Sequence, residues 1–113
     1  MARLPVNYSN NKQLSTSPIL IVPVVGSATQ SVIAKLSFYN TSATEYRTVT
    51  VYVVENGGAP DVGNTLVTKQ IAPSKSWNNV EILSEVFTQG MSAYASVNAG
   101  NDVNVNCSGN NFS

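Results

Sequence analysis

The sequence contains no histidine and a single cysteine, and charged residues make up only 11% of its 113 residues. Without histidine, the chain lacks the side chain that serves most often as a general base and as a transition-metal ligand. A zinc site would need thiolates or imidazoles that this chain does not supply. Neither a Gly-x-Gly-x-x-Gly fingerprint nor a P-loop motif is present. The sequence therefore predicts a protein that is not an enzyme and that holds no metal or cofactor.

An excess of charge of one sign is also missing, because six basic residues balance six acidic ones. No basic stripe is available to displace counterions from nucleic acid, and no polybasic cluster is available to bind an anionic membrane. The start of the chain shows no basic-then-apolar leader, which predicts synthesis in the cytosol. We therefore expect neither nucleic acid nor a membrane as a partner. The polar residues are mainly Asn, Ser and Thr. This composition suits packing against other protein or contact with sugar. The alternative is that it is only the general composition of this protein's β-surfaces.

Two runs of alternating residues, 31–39 and 47–54, have the period of half-buried strands. The residues predicted to face the core are Val32, Ala34, Leu36 and Phe38 in the first run, and Val49, Val51 and Val53 in the second. A short polar link rich in turn formers joins the two runs. The pattern therefore predicts an antiparallel pair at the centre of one sheet.

Further short strands follow at intervals of roughly 8 to 12 residues, the spacing typical of a β-sandwich. The fold class predicted is all-β, a single antiparallel β-sandwich, Ig-like or jelly-roll-like, with seven or eight strands. Pro23 predicts an edge position or a break in the strand over 19–25. Strands are also predicted over 65–72, 77–83, 91–97 and 103–107, with 84–90 as the weakest. Cys107 is predicted to be a small buried hydrophobic residue rather than a reactive thiol.

Residues 1–18 precede the predicted sandwich domain, which covers 19–113. This segment has no sustained period, yet it carries several hydrophobic residues. It predicts an extended N-terminal arm that becomes ordered on a neighbouring subunit or on the sandwich itself, or a frayed terminus with one short edge strand. The candidate partner-contact residues are Leu4, Val6, Tyr8 and Leu14 of the arm, together with Trp77, which is predicted at the rim of the core or in a subunit contact.

Five segments between about residues 22 and 105 carry a resemblance to a known family. They are LSFYNTSA (36–43), TVTVYVV (48–54), NGGAPDVGN (56–64), IAPSKSW (71–77) and FTQGMSAYASV (87–97). In this order they resemble small β-sandwich virion structural proteins of tailed bacteriophages, of the head decoration, cement, neck or tail accessory type. The chain departs from the family pattern at Ser74, where Gly is usual, and at Gln89-Gly90-Met91, which lacks the usual acidic residues.

The resemblance implies a non-enzymatic structural component of the virion, assembled in the host cytoplasm. Its partners would be the major capsid protein or other virion subunits, and the chain would form a homo-oligomer, with a trimer favoured. Decoration or cementing of the capsid surface is the leading hypothesis, and a neck, tail or fibre-associated subunit is the alternative. A third hypothesis is a carbohydrate-binding module whose aromatic platform consists of Tyr39, Tyr46, Tyr52 and Tyr94.

Overall fold

The computed structural model describes residues 3–26, 29–55, 58–78 and 86–112. In these residues it contains nine strands, a short 3-10 turn at Val62–Asn64 and no α-helix. The strands are β1 (Arg3–Gln13), β2 (Ile19–Val22), β3 (Gln30–Asn40), β4 (Arg47–Val54), β5 (Thr65–Ile71), β6 (Ser76–Trp77), β7 (Val86–Phe87), β8 (Ser92–Val97) and β9 (Val103–Phe112). No helix capable of crossing a membrane occurs in this described part of the chain.

The strands form two antiparallel sheets that pack face to face, which confirms the predicted β-sandwich. The larger sheet has the order β1-β9-β3-β6, with β7 also paired to β3, and the smaller sheet has the order β2-β8-β4-β5. Hydrophobic side chains from the inner faces of both sheets fill the space between them. The most buried large members of this core are Phe38, Phe87, Leu14, Ile21, Ile33, Leu36, Val22, Val49 and Val51.

The pairing of the strands distinguishes between the two predicted types of sandwich. The first strand pairs with the last, β2 pairs with β8, β3 pairs with β6 and β7, and β4 pairs with β5. Because β6 and β7 both lie along β3, they occupy one edge position, and the order is that of a long antiparallel hairpin rolled up around its axis. This is the connectivity of a jelly roll rather than of an immunoglobulin-like domain.

The prediction that 31–39 and 47–54 pair with each other is wrong. The first run is β3 in the larger sheet, and the second is β4 in the smaller one. The link over 41–46 therefore crosses from one sheet to the other, and the backbone N–H of Thr41 is held by the carbonyl of Asp102 at 2.8 Å. Alternation requires only one buried face per strand, and two strands that face each other across the core meet this requirement as well as two neighbours do.

A bulge in β3 changes which residues face the core. The pairing with β9 shifts register between Ile33 and Lys35, so that Ser31 and Ile33 are buried while Ala34 is exposed. The inward positions predicted for Val32 and Ala34 are therefore wrong, because one extra residue reverses the alternation. Beyond the bulge the prediction is confirmed, since Leu36 and Phe38 are buried. In β4, Val49 and Val51 are buried as expected, whereas Val54 is more buried than Val53.

The N-terminal segment lies on the sandwich itself. Residues 3–13 pair with β9 from Phe112 back to Asn104, with register shifts on either side of Ser9. At the end of this strand Leu14 is fully buried in the core. The segment predicted as an arm thus supplies an edge strand and a core residue to its own sandwich.

Other strand predictions agree with the structure to different extents. The strand β2 ends at Val22, immediately before Pro23, as predicted. The last strand runs on to Phe112, beyond its predicted end at 107, and Cys107 is buried as predicted. Of the strand predicted over 77–83, only its first residues are described, and residues 79–85 lie outside the described part of the chain.

Candidate interaction surface

The strand β1 forms an outer edge of the larger sheet, and Pro5 protects that edge. In the register Pro5 lies opposite Asn110 of β9. A proline has no N–H to give to a neighbouring strand, so within a ladder it is accommodated where its nitrogen faces the free side. The free edge therefore lacks a donor at this position, which hinders the addition of another strand. Contacts made by this region consequently depend on side chains.

Two strongly exposed hydrophobic side chains lie at the same end of the sandwich. Leu4 is 63% exposed and Val24 is 62% exposed. Leu4 lies opposite Asn111 in the register, and Asn111 lines a groove of about 120 Å³ together with Val24, Pro23 and Val6. We define Leu4, Val6, Pro23 and Val24 as the end patch.

The groove beside the end patch has a polar floor that is held in place by hydrogen bonds. The hydroxyl of Tyr8 donates to Oδ1 of Asn111 at 2.9 Å, and the hydroxyl of Ser31 donates to the same oxygen at 2.6 Å. Burial raises the pKa of the Tyr8 phenol, and the neighbouring Ser31 hydroxyl acts in the opposite direction. Tyr8 is therefore neutral at physiological pH and donates a hydrogen bond. The two hydrogen bonds to Asn111 fix the side chains beneath the end patch.

A second, more open groove of about 310 Å³ lies beside β1. It is lined by Pro5, Val6, Asn7, Ala34, Ser108 and Gly109. Two local features account for it: the bulge at Ala34 turns a small side chain outward, and Gly109 has no side chain. A Cβ at Gly109 would collide with the carbonyl oxygen of Val32, so glycine is required where the two backbones approach. Val6 of the end patch lines both grooves.

The five predicted contact residues divide into two groups. Leu4 is exposed, and Val6 and Tyr8 are half-buried beside the grooves. Leu14 is 0% exposed and Trp77 is 7% exposed. Because the chain itself encloses Leu14, this side chain has no exposed surface. The contact role of Leu4, Val6 and Tyr8 stays a prediction.

Trp77 lies at the rim of the core, where it joins the two sheets. Its indole stacks on Phe38 with ring centroids 5.3 Å apart and an interplanar angle of 25°. The ammonium of Lys69, which belongs to β5 of the smaller sheet, lies 5.9 Å from the centroid of the indole. This contact is a cation–π interaction across the side of the sandwich. It gives Trp77 a structural role.

Pro23 and Val24 belong to the end patch, but the sequence pattern assigned them to the strand over 19–25. The sequence signal that could have shown that these two residues lie outside the strand is Pro23 itself. A proline ends the ladder, so the hydrophobic residue that follows it is no longer constrained to point towards the core. Both residues are exposed in the structure, whereas Val25 is buried again.

The four tyrosines of the predicted aromatic platform do not come together. Tyr52 and Tyr94 lie directly opposite each other in the smaller sheet. Tyr39 belongs to the larger sheet, where it lies opposite Ser76 and Asn104. Tyr46 precedes β4 and is 57% exposed. A platform of all four is therefore absent, and one cross-strand pair remains.

Parts of two of the segments that carry the resemblance, LSFYNTSA and IAPSKSW, meet at one corner of the fold. The buried Asn40 donates to the carbonyl of Ile71 at 3.1 Å, and the N–H of Ser74 donates to the carbonyl of Ser42 at 3.0 Å. The hydroxyl of Ser42 in turn accepts a hydrogen bond from the N–H of Glu45 at 2.9 Å. The Asn-Thr-Ser sequence and the Ile-Ala-Pro turn are thus parts of the same structure.

Most of the ionisable groups in the described part of the chain are spread over the sandwich rather than clustered. Among the described residues, no three Cys, Asp or Glu side chains come close enough to share a metal ion. Arg47 and Asp102 form an ion pair at 2.8 Å, which ties the start of β4 to the turn before β9. Burial raises the pKa of the Cys107 thiol to about 12, so the sulfur stays protonated and unreactive near neutral pH.

No family model and no curated protein matches the chain. Among solved structures, the chain is similar to a chain of the T13 IBDV viral particle, whose crystal structure is described as revealing a missing link in the evolution of icosahedral viruses. The two are 12% identical with a TM-score of 0.48. The match covers 97% of this chain and 30% of the viral one, so this chain spans less than a third of that protein. A similarity at this level assigns no family.

Proposed function

We propose that this chain is a non-enzymatic structural subunit of a tailed-bacteriophage virion, which decorates or cements the capsid surface as a homo-oligomer, with a trimer favoured. The observation that carries the proposal is the end patch, in which Leu4 and Val24 are both more than 60% exposed. The resemblance of five segments to phage virion proteins supports the assignment. The jelly-roll connectivity is compatible with it, because capsid and lectin domains use this architecture.

The mechanism is passive and rests on the burial of apolar surface between subunits. Complete burial of a Leu or Val side chain contributes about 1.5–3 kcal/mol. A single end patch therefore gives a weak contact. Symmetric repetition over a particle multiplies such contacts, since each subunit that is already bound raises the effective concentration of the next one.

The partner of the end patch is a protein surface of the virion, either the major capsid protein or another copy of this chain. The polar side chains that line the two grooves are uncharged: Asn7, Ser31, Ser108 and Asn111. They can exchange hydrogen bonds with a partner at little desolvation cost compared with Lys or Glu. Such a surface fits a partner of similar composition better than it fits nucleic acid or an anionic membrane.

The alternative position is the neck, tail or fibre of the same kind of particle. A jelly roll with an apolar end patch is compatible with either location. The two locations differ in copy number, because a shell protein is present in proportion to the capsid subunits and a neck protein is present in few copies.

The test uses purified phage particles in which the chain is quantified by mass spectrometry. Wild-type chain should be present, and a Leu4→Ser/Val24→Ser double variant should be lost from particles. Leu66→Ser is the matched control, since Leu66 is 39% exposed on β5 and belongs to the other sheet. It should be incorporated normally. Absence of the wild-type chain from particles would overturn the proposal, and normal incorporation of the double variant would overturn the role of the patch.

A further inference from the structure

The outer face of the smaller sheet carries a continuous row of residues across all four strands. Tyr52 of β4 lies directly opposite Tyr94 of β8, Leu20 of β2 lies on the far side of Tyr94, and Thr65 of β5 lies on the far side of Tyr52. Their chain neighbours Val51, Ala93 and Ala95 are buried in the core, so the row points outward. Both tyrosines are half-buried and keep part of their surface exposed to solvent.

A second row, made of hydroxyl side chains, lies next to the tyrosines. In the register it runs from Ser96 through Thr50 to Thr68. The hydroxyls of Tyr52 and Ser96 are 3.2 Å apart, and the hydroxyl of Thr68 donates to that of Thr50 at 3.4 Å. Each hydroxyl is both a donor and an acceptor, and it can rotate to suit a ligand. The face therefore combines a flat aromatic pair with adjustable hydrogen-bonding groups.

The four strands themselves add no charge to this face, and the ammonium of Lys12 of β1 reaches only its edge, where it donates to the carbonyl of Leu20 at 2.9 Å. Along the four strands of this sheet, all of which are described, no outward-pointing side chain is ionisable as an acid or a base at neutral pH. The two basic residues of these strands are engaged elsewhere, because Lys69 lies over the ring of Trp77 and Arg47 is paired with Asp102. A ligand that matches this surface is neutral and rich in hydroxyl groups.

We propose that this face binds a neutral polysaccharide. A pyranose ring has an apolar face of C–H groups that packs on an aromatic ring, and hydroxyl groups at its rim that exchange hydrogen bonds with Ser and Thr. Directly opposed residues have Cβ atoms about 5 Å apart, so the two tyrosines form one small ledge with the hydroxyl row beside it. The ledge lies on the opposite sheet from β1. The binding is therefore independent of the virion role proposed above.

The test is native affinity electrophoresis in gels that contain dextran, mannan, glycogen or laminarin as neutral probes, with heparin as the charged probe. The wild-type chain should be retarded by at least one neutral polysaccharide. Tyr94→Ala should weaken the retardation at least about fivefold, as expected for the loss of an aromatic contact. Tyr39→Ala is the matched control, since Tyr39 is 44% exposed on the larger sheet. It should leave retardation unchanged.

A second pair of variants keeps the test valid if Tyr94→Ala fails to fold. Thr68 is exposed, so Thr68→Asp places a charge on the face without removing a packed ring. It should abolish retardation, whereas Ser37→Asp on the larger sheet should not. Retardation by heparin alone, retardation by no polysaccharide, or equal losses in Tyr39→Ala and Tyr94→Ala would overturn the inference. Conversion of an oligomer into a monomer by Thr68→Asp would also overturn it, by assigning the face to a subunit contact.

Discussion

The side chain of Asn40, at the end of β3 in the larger sheet, donates a hydrogen bond of 3.1 Å to the backbone carbonyl of Ile71, at the end of β5 in the smaller sheet. The same amide nitrogen also lies 2.8 Å from the carbonyl oxygen of Glu45 and 3.3 Å from that of Ala72. Its Oδ1 accepts the N–H of Ser42 at 3.0 Å. Asn40 is 0% exposed, so one buried side chain joins the two sheets where the chain crosses between them.

Replacement of Asn40 by Asp should therefore destabilise the fold strongly. A carboxylate has the same shape but donates no hydrogen bond, so it would face the carbonyl oxygens of Glu45, Ile71 and Ala72 as an acceptor. We expect a loss of about 3 kcal/mol, the cost of leaving buried polar groups unpaired. The measurement is urea unfolding followed by the fluorescence of Trp77, the only tryptophan. Asn104→Asp, on the outer face of β9, should shift stability by less than about 0.5 kcal/mol. Equal midpoints for the two variants would contradict the assigned role.

Ser74→Gly should stabilise the protein. Ser74 has a φ of 56°. It follows Pro73 in a turn that is closed by the hydrogen bond from the N–H of Lys75 to the carbonyl of Ala72. This is the arrangement of a type II turn, which favours glycine at the third position. Glycine relieves the strain of the left-handed backbone but has more conformational freedom in the unfolded chain. The difference should raise the free energy of unfolding by about 0.5–1 kcal/mol. Thermal unfolding checks it, and Gly90→Ser, at φ 88, should change stability in the opposite direction. A destabilised Ser74→Gly protein would show that the Ser74 hydroxyl outweighs the strain.

The sequence identifies strands well because burial of one face imposes alternation, as in Val49 and Val51. It does not identify neighbours, since β3 and β4 carry the same pattern whether they pair or face each other across the core. The bulge at Ala34 was also missed, because it appears only in the register of β3 against β9. There Gly109 brings the backbone of β9 against Val32. Only the pairing of distant strands reveals that contact.

The candidate surface was predicted in part. The hydrophobic residues Leu4 and Leu14 look alike in the sequence, yet one is 63% exposed and the other fully buried. The difference arises because Leu14 lies past the end of β1, where the chain turns into the core and its N–H is held by the carbonyl of Val103 at 2.8 Å. Val24 was missed because its exposure follows from the break at Pro23. Surface exposure at strand ends thus depends on tertiary structure that local patterns do not encode.

The thiol of Cys107 should make stability fall at alkaline pH. Burial raises its pKa from 9.0 to about 12, so between these values the folded state keeps a proton that the unfolded state has lost. The stability is therefore fully present below pH 9 and decreases above it, with a slope of up to about 1.4 kcal/mol per pH unit. Urea midpoints between pH 8 and about pH 9.5 check this, before ionisation of Tyr8 in the unfolded chain adds an effect of the same sign. Cys107→Ala should be less stable but should show a smaller slope. Parallel slopes would refute the assignment.

Leu4→Ser and Leu14→Ala should separate association from folding. Leu4→Ser removes an exposed side chain, so the free energy of unfolding should change by less than about 0.5 kcal/mol while self-association is weakened. Leu14→Ala opens a cavity in the core and should cost about 2–5 kcal/mol. Sedimentation equilibrium measures the first effect and urea unfolding the second. Deletion of residues 1–15 cannot replace these variants, because it removes β1 and Leu14 together and so damages the fold and the patch at once.

The control for this last comparison is Leu66→Ser, at the edge of the smaller sheet. If exposed hydrophobic residues in general drive association, Leu66→Ser and Leu4→Ser should lower the solution mass equally. If the end patch is the specific contact, only Leu4→Ser should do so, because Pro5 leaves this edge to interact through side chains rather than through backbone pairing. If Leu4→Ser leaves the solution mass unchanged and Leu66→Ser abolishes the oligomer, the contact is made by β5 and not by the end patch.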